Sequence, residues 1–247
     1  MLKSIKAALK TTPLYRTIVN RRVAKARRFL EYANMYPEAQ NAILEDFRFS
    51  ISRDYRGILQ VLNIEECIRH IAKDVLGAFV ETGVFTGGAS AFALKSMMRN
   101  ATVREYWGFD SFEGMPKPTE HDGAYAKKWV GADPSTVNAS DYQLCLEYLR
   151  SSGYPEEKIH LIKGWFQDTL PLERERIGQI AILRMDGDFY ESTKVVLEQL
   201  YEQVVPGGAV IIDDYGSFEG CRKAVDDFLR GSKFIHYVEH GVRFFIK

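Results

Sequence analysis

From residue 76 onward, short runs of nearly unbroken apolar residues alternate with segments of helical periodicity, and that alternation leaves few folds open. Runs at 77–81, 105–109, 159–162, 180–185 and 209–212 read as strands, and 89–98, 140–149, 193–203 and 220–230 read as helices. Strands without polar alternation are buried on both faces, which is the condition of a parallel sheet covered by helices above and below. The spacing predicts an α/β fold with a mostly parallel, doubly wound sheet. Two closing runs, 234–239 and 242–246 around Gly241, predict an antiparallel hairpin at the sheet edge.

The remainder fits around that sheet. Helical spacing recurs at 29–35 and 58–71, with Pro13 and Pro37 as punctuation. No Gly-, Ser- or Pro-rich linker follows, so residues 1–75 are expected to form a helical cap or lid on a 76–247 domain. A content of 46% hydrophobic and 27% charged residues supports a sizeable core in a soluble chain. Neither an apolar stretch of roughly 20 residues nor a secretory leader is visible. Three scattered cysteines argue against a disulfide framework and a cysteine–zinc cluster, and a cytoplasmic setting is expected.

Net charge is zero, which speaks against a nucleic-acid partner, but the charge is unevenly spread. Residues 1–30 hold nine bases and no acid, and the other 217 carry nine more acids than bases. Such an arm reads as a solvated helical face, an oligomer contact in a homo-oligomer or a helix on the lid. It also reads as a weak peripheral contact with an anionic membrane.

Doubly wound sheets bind ligands beyond the carboxyl ends of their strands, so the residues after each run carry the chemistry. After the first comes Glu81-Thr82-Gly83-Val84-Phe85-Thr86-Gly87-Gly88. Its glycines permit close backbone approach and a sharp turn into a helix. It is neither a P-loop nor a full dinucleotide fingerprint. The acid ahead of the loop suits a ligand with a cationic amino group. Asp110 ends the second run, 27 residues after Gly83, where an acid commonly binds ribose hydroxyls. A cap or turn role is its other reading. Gly164-Trp165-Phe166 offers aromatic faces to a purine, or packs in the core. Taken in strand order, these signals point to S-adenosylmethionine.

The next two runs end in Asp186 and in Asp213-Asp214. Carboxylates at the ends of apolar strands are costly to bury unless paired or metal-bound. Three on neighbouring strands make a hard oxygen cluster suited to Mg²⁺, Mn²⁺ or Ca²⁺ rather than zinc. Helix caps, or salt bridges to Arg184 and Lys223, are the alternative. Asp188 is a candidate general base, or an acid at a helix start. His121, in the 116–122 loop, is the rival base, or an exposed loop histidine.

The strings Val80-Glu-Thr-Gly-Val, Phe109-Asp-Ser-Phe-Glu-Gly-Met-Pro, Gly164-Trp-Phe-Gln-Asp-Thr-Leu-Pro, Leu183-Arg-Met-Asp-Gly-Asp-Phe-Tyr-Glu-Ser-Thr and Pro206-Gly-Gly with Ile212-Asp-Asp-Tyr-Gly resemble the macrocin O-methyltransferase family. That family includes enzymes methylating sugars of macrolide antibiotics and of novobiocin. The resemblance covers roughly residues 50–230. It implies a Rossmann-like methyltransferase using S-adenosylmethionine and a divalent cation, usually Mg²⁺. It places the metal on Asp186, Asp213 and Asp214. It places the cofactor on Glu81 to Phe85, Asp110 with Ser111, Ser140, Gly164 to Phe166, and Asp186. Asp188 matches a base proposed in part of the family, and a lid-loop histidine, here His121, is the base in other members. Phe85 and Thr86 stand where the family usually has Trp and Arg.

The implied reaction is O-methylation of a sugar hydroxyl on a glycosylated natural product or surface polysaccharide. A metal-dependent O-methyltransferase of a catechol or other vicinal diol shares the chemistry. A non-catalytic cofactor-binding protein is the remaining alternative, and an intact acid trio and glycine loop speak against it.

Overall fold

The apolar runs become a seven-stranded sheet in the order β3-β2-β1-β4-β5-β7-β6. The strands are β1 (Ala78–Thr82), β2 (Tyr106–Asp110), β3 (Ile159–Lys163), β4 (Ile180–Met185), β5 (Val204–Ile212), β6 (Tyr237–Glu239) and β7 (Val242–Ile246). A computed structural model describes residues 13–32, 37, 39–52, 58–71, 75–230, 237–239 and 242–247. The first five strands are parallel, and β7 joins β5 antiparallel with β6 outside it. The closing hairpin thus lies at the sheet edge, beginning at Tyr237; residues 234–236 and Gly241 lie outside the described residues. Chain progression reverses direction between β1 and β4, the crevice where doubly wound sheets take ligands.

Although the strands are apolar throughout, their two-residue period still sorts side chains between two cores. Phe79 and Ile211 face one layer, and Val80, Val210 and Ile212 face the other. The first layer is built by α1 (Pro13–Tyr32), α2 (Gln40–Ser50), α3 (Ile58–His70), α4 (Gly88–Arg99) and α6 (Tyr142–Arg150). The second is built by α5 (Gly123–Val130), α7 (Phe166–Ile177), α8 (Tyr190–Leu200) and α9 (Glu219–Phe228). The N-terminal helices insert Val23, Leu30, Phe47 and Ile68 into the same core as Phe92 and Phe79, as a continuous layer of the sheet. Pro13 is the first residue of α1 rather than a break, a position where its missing N–H costs nothing. No helix among the described residues is long and apolar enough to cross a membrane.

Candidate active site

Beyond the carboxyl ends of β1 to β4 opens a cavity of about 740 Å³. Gly83 and Phe85 line it after β1, Asp110 and Ser111 after β2, Trp165 and Phe166 after β3, and Asp186 and Asp188 after β4. The 114–119 loop, Asp122, the 133–138 turn and the first turns of α8 form the remaining wall. Gly83 is a steric requirement: its φ is +90°, and a Cβ there would collide with the Asp186 carbonyl oxygen. The ends of β1 and β4 can therefore close together, joined by Asp186 N–H donating to the Thr82 carbonyl at 2.8 Å.

On one side, Asp110 is held by backbone. Phe85 N–H donates to its Oδ2 at 2.8 Å and Phe112 N–H to its Oδ1 at 2.7 Å. Both donors come from left-handed residues, with φ of +53° and +57°, conformations costing about 1–3 kcal/mol each. That strain is tolerated where it aims two amides at one carboxylate. Burial raises the pKa of Asp110, opposed by these amides. Ser140 lies behind the loop, its hydroxyl donating to the Phe85 carbonyl at 2.7 Å, and is not part of the cavity wall. Gly164 N–H bonds the Asp110 carbonyl at 2.9 Å, which sets Trp165 and Phe166 beside the cavity. Val84 points into the core. The Thr82 hydroxyl is fully buried and has no hydrogen-bond partner among the described residues.

Glu81 is not an open receptor for an ammonium group in this structure. It is fully buried and outside the cavity wall. Its Oε1 accepts Arg184 Nη1 at 2.7 Å, and its Oε2 accepts the hydroxyls of Ser90 and Tyr106, each at 2.6 Å. A carboxylate sunk in an apolar sheet needs such partners. The neighbouring acid raises the Tyr106 pKa, after burial itself.

The acids after β4 and β5 do meet. Asp186, Asp213 and Asp214 each offer a carboxylate oxygen within 4.8 Å of the others. Arg184, wholly buried beneath them, donates from Nη2 to Asp186 at 2.9 Å and to Asp213 at 2.8 Å. Lys223 is occupied elsewhere, on Asp227 at 2.6 Å. Asp214 accepts the Asp188 amide at 3.0 Å. Burial, then the charges of Asp188, Asp186 and Asp213, push its pKa well above the usual carboxylate range. Arg184 thus bonds three carboxylates, Glu81, Asp186 and Asp213, while Asp186, Asp188 and Asp213 crowd Asp214, and an oxygen-rich cluster of that charge fits a hard divalent cation.

Asp188 lies on the cavity wall at the centre of a γ-turn, with φ of +59° and Phe189 N–H bonded to the Gly187 carbonyl at 2.6 Å. It precedes α8 and does not cap it; Phe189 holds that position. His121 is not on the cavity wall: its ring packs on Tyr190 with centroids 4.3 Å apart. Its neighbour Asp122, buried and on the wall, escaped the sequence reading. The pattern Thr119-Glu-His-Asp122, a capping box, was the available signal.

A 3-2-1-4-5-7-6 sheet with its cavity at the β1/β4 reversal, and no P-loop or dinucleotide fingerprint, defines the class of Rossmann-like methyltransferases. Solved structures agree: the chain superposes on "Structure of the O-methyltransferase NovP" with a TM-score of 0.67 and 33% identity, covering 77% of this chain and 80% of that one. The profile of the Macrocin-O-methyltransferase (TylF) family matches residues 14–240, and the chain belongs to that family of enzymes. Among its relatives, it is 35% identical to the 8-demethyl-8-(2,3-dimethoxy-alpha-L-rhamnosyl)-tetracenomycin-C 4'-O-methyltransferase of Streptomyces olivaceus, over 78% of this chain and 73% of that protein. It is 38% identical to the demethyldecarbamoylnovobiocin O-methyltransferase of Streptomyces niveus, over 70% of this chain and 66% of that protein.

Proposed function

We propose that the protein transfers the methyl group of S-adenosylmethionine to a sugar hydroxyl of a glycosylated natural product or surface polysaccharide, with Mg²⁺ or a similar cation on Asp186, Asp213 and Asp214. Residues 76–247 form the transferase domain in this reading, with 1–75 as its helical cap. Family membership supports the reaction, and relatives acting on a rhamnosyl-tetracenomycin and a novobiocin precursor support the acceptor class. The observation that carries the site is the acid trio, whose Asp186 shares a cavity wall with Asp110 and Trp165 while Asp213 and Asp214 lie behind it.

Asp110, steadied by two amides, accepts hydrogen bonds from ribose hydroxyls, and Trp165 and Phe166 flank the base. Glu81 contributes indirectly, by fixing Arg184 beneath the acids. As the acceptor oxygen bonds to the methyl carbon and the carbon–sulfur bond breaks, the hydroxyl proton passes to the Asp188 carboxylate. A bound divalent cation supplies Lewis acidity, easing ionisation of a hydroxyl whose free pKa is far above neutrality. The exposed bases of the N-terminal arm support a weak, salt-sensitive contact with anionic lipid.

The test is methyl transfer from labelled S-adenosylmethionine to a panel of glycosylated compounds and catechols, with Mg²⁺ or with chelator. Metal-dependent methylation of a sugar is expected. Turnover of catechols alone would overturn the acceptor class, and full turnover in chelator would overturn the metal assignment.

A further inference from the structure

Asp122 ends the short Glu120–Asp122 turn on the cavity wall and is 2% exposed. Three donors converge on its carboxylate. Thr119 N–H and the Thr119 hydroxyl reach Oδ2 at 2.7 and 2.9 Å. Tyr190 N–H, from the first residue of α8, reaches Oδ1 at 2.7 Å. The amides that open a helix favour an anion there. The third neighbour is α9, whose second residue is Gly220. A Cβ at Gly220 would collide with Asp122 Oδ1 and approach Tyr190 N at 2.9 Å. Loop, α8 and α9 therefore meet at one carboxylate, and they do so because position 220 has no side chain. Past this point α5 lays Trp129 against Phe218, with centroids 5.3 Å apart.

We infer that Asp122 is a latch, a positioning residue that fastens the 113–130 segment over the acceptor side of the cavity. The word acceptor rests on the methyl transfer proposed above. Lys117, Thr119 and Asp122 line the cavity, and Asp122 bonds Tyr190 two residues past Asp188, the proposed base, whereas Asp110 is held by Phe85 and Phe112. Releasing the latch loosens the acceptor wall and leaves the cofactor wall as it was.

The test uses the full chain with Asp122→Ala, Gly220→Ala and the double substitution. Hydrogen exchange is followed by mass spectrometry, S-adenosylhomocysteine binding by calorimetry, and kinetics with a sugar acceptor found in the panel. Both single variants are expected to speed exchange over 115–130 by at least about tenfold while the β1 to β5 peptides stay protected. Affinity for S-adenosylhomocysteine stays within about twofold of wild type, acceptor KM rises about tenfold or more, and kcat changes less than about threefold. Because the severe clash of the added methyl is with the Asp122 carboxylate, and only the 2.9 Å approach to Tyr190 N remains once Asp122 is gone, the double variant falls well short of the sum of the two single variants. The milder Asp122→Asn, which keeps the volume but turns a donor toward Thr119, gives the same pattern more weakly. Unchanged exchange over 115–130 in Asp122→Ala, faster exchange throughout the sheet, or additive effects in the double variant would each overturn the latch. If no acceptor is turned over, exchange and cofactor affinity still decide it, separately from the reaction.

Discussion

A carboxylate held by backbone amides is oriented before its ligand arrives, and Asp110 is so held by Phe85 and Phe112. Hydrogen bonds to a charged partner contribute about 1.5–3 kcal/mol each, so Asp110→Ala should weaken S-adenosylhomocysteine binding at least about tenfold by calorimetry. Asp213 differs, because it shares Arg184 with Asp186. Asp213→Asn keeps the shape but removes an anionic ligand, and the expected outcome is loss of Mn²⁺ binding in electron paramagnetic resonance with circular dichroism unchanged. Asp188→Asn is expected to lower turnover about 10²-fold or more, with cofactor affinity retained. Were His121→Ala to do this and Asp188→Asn not, the proton would pass to the histidine.

Between elements, the tightest polar clip joins α3 to α4. Glu65, fully buried, takes both outer nitrogens of Arg99 at 2.8 Å and the Ser96 hydroxyl at 2.5 Å, while Asp46 of α2 takes Arg99 Nε at 3.0 Å. Removing one partner of a buried pair strands the other, so Glu65→Ala should cost about 3–5 kcal/mol. For a chain this size that lowers the melting midpoint by roughly 6–10 °C, readable by calorimetric or dichroism melts. The strands were legible in the sequence because unbroken apolar runs have few other uses, and their ends delivered Asp110, Asp186, Asp213 and Asp214. Two helices were not. Gly123–Val130 is short and buries only Ala126 and Val130, and Phe166–Ile177 carries Pro171 inside and buries only Leu170 and Ile177. Eight residues are too short a window for the period of the first to register, and an internal proline in the second reads as a break. The fate of Glu81 was hidden too, because its partner Arg184 lies 103 residues away and only the β1–β4 pairing brings them together.

Across the whole molecule, charge is segregated: α1 exposes Arg16, Arg21, Lys25, Arg27 and Arg28, while the rest of the chain is acidic. The inner face of α1 carries Val23, Ala26 and Leu30 into the core, so truncation would open the fold, and the membrane contact is better tested by substitution. With Arg16, Arg21, Lys25 and Arg28 changed to Gln, flotation with anionic liposomes at low salt should fall to background. Wild type should float at low salt and detach at about 0.5 M salt, where charges are screened within a few ångströms. Absence of wild-type flotation at low salt would end the lipid reading. The buried Arg184 has a consequence for handling. Since it already holds Asp186 and Asp213 together, the folded chain has its own internal counter-ion, and a cation at this site is a visitor rather than a staple. Dialysis against chelator should then silence the enzyme without melting it, shifting the midpoint by no more than about 4 °C, and activity should return on mixing with Mg²⁺ without any refolding step.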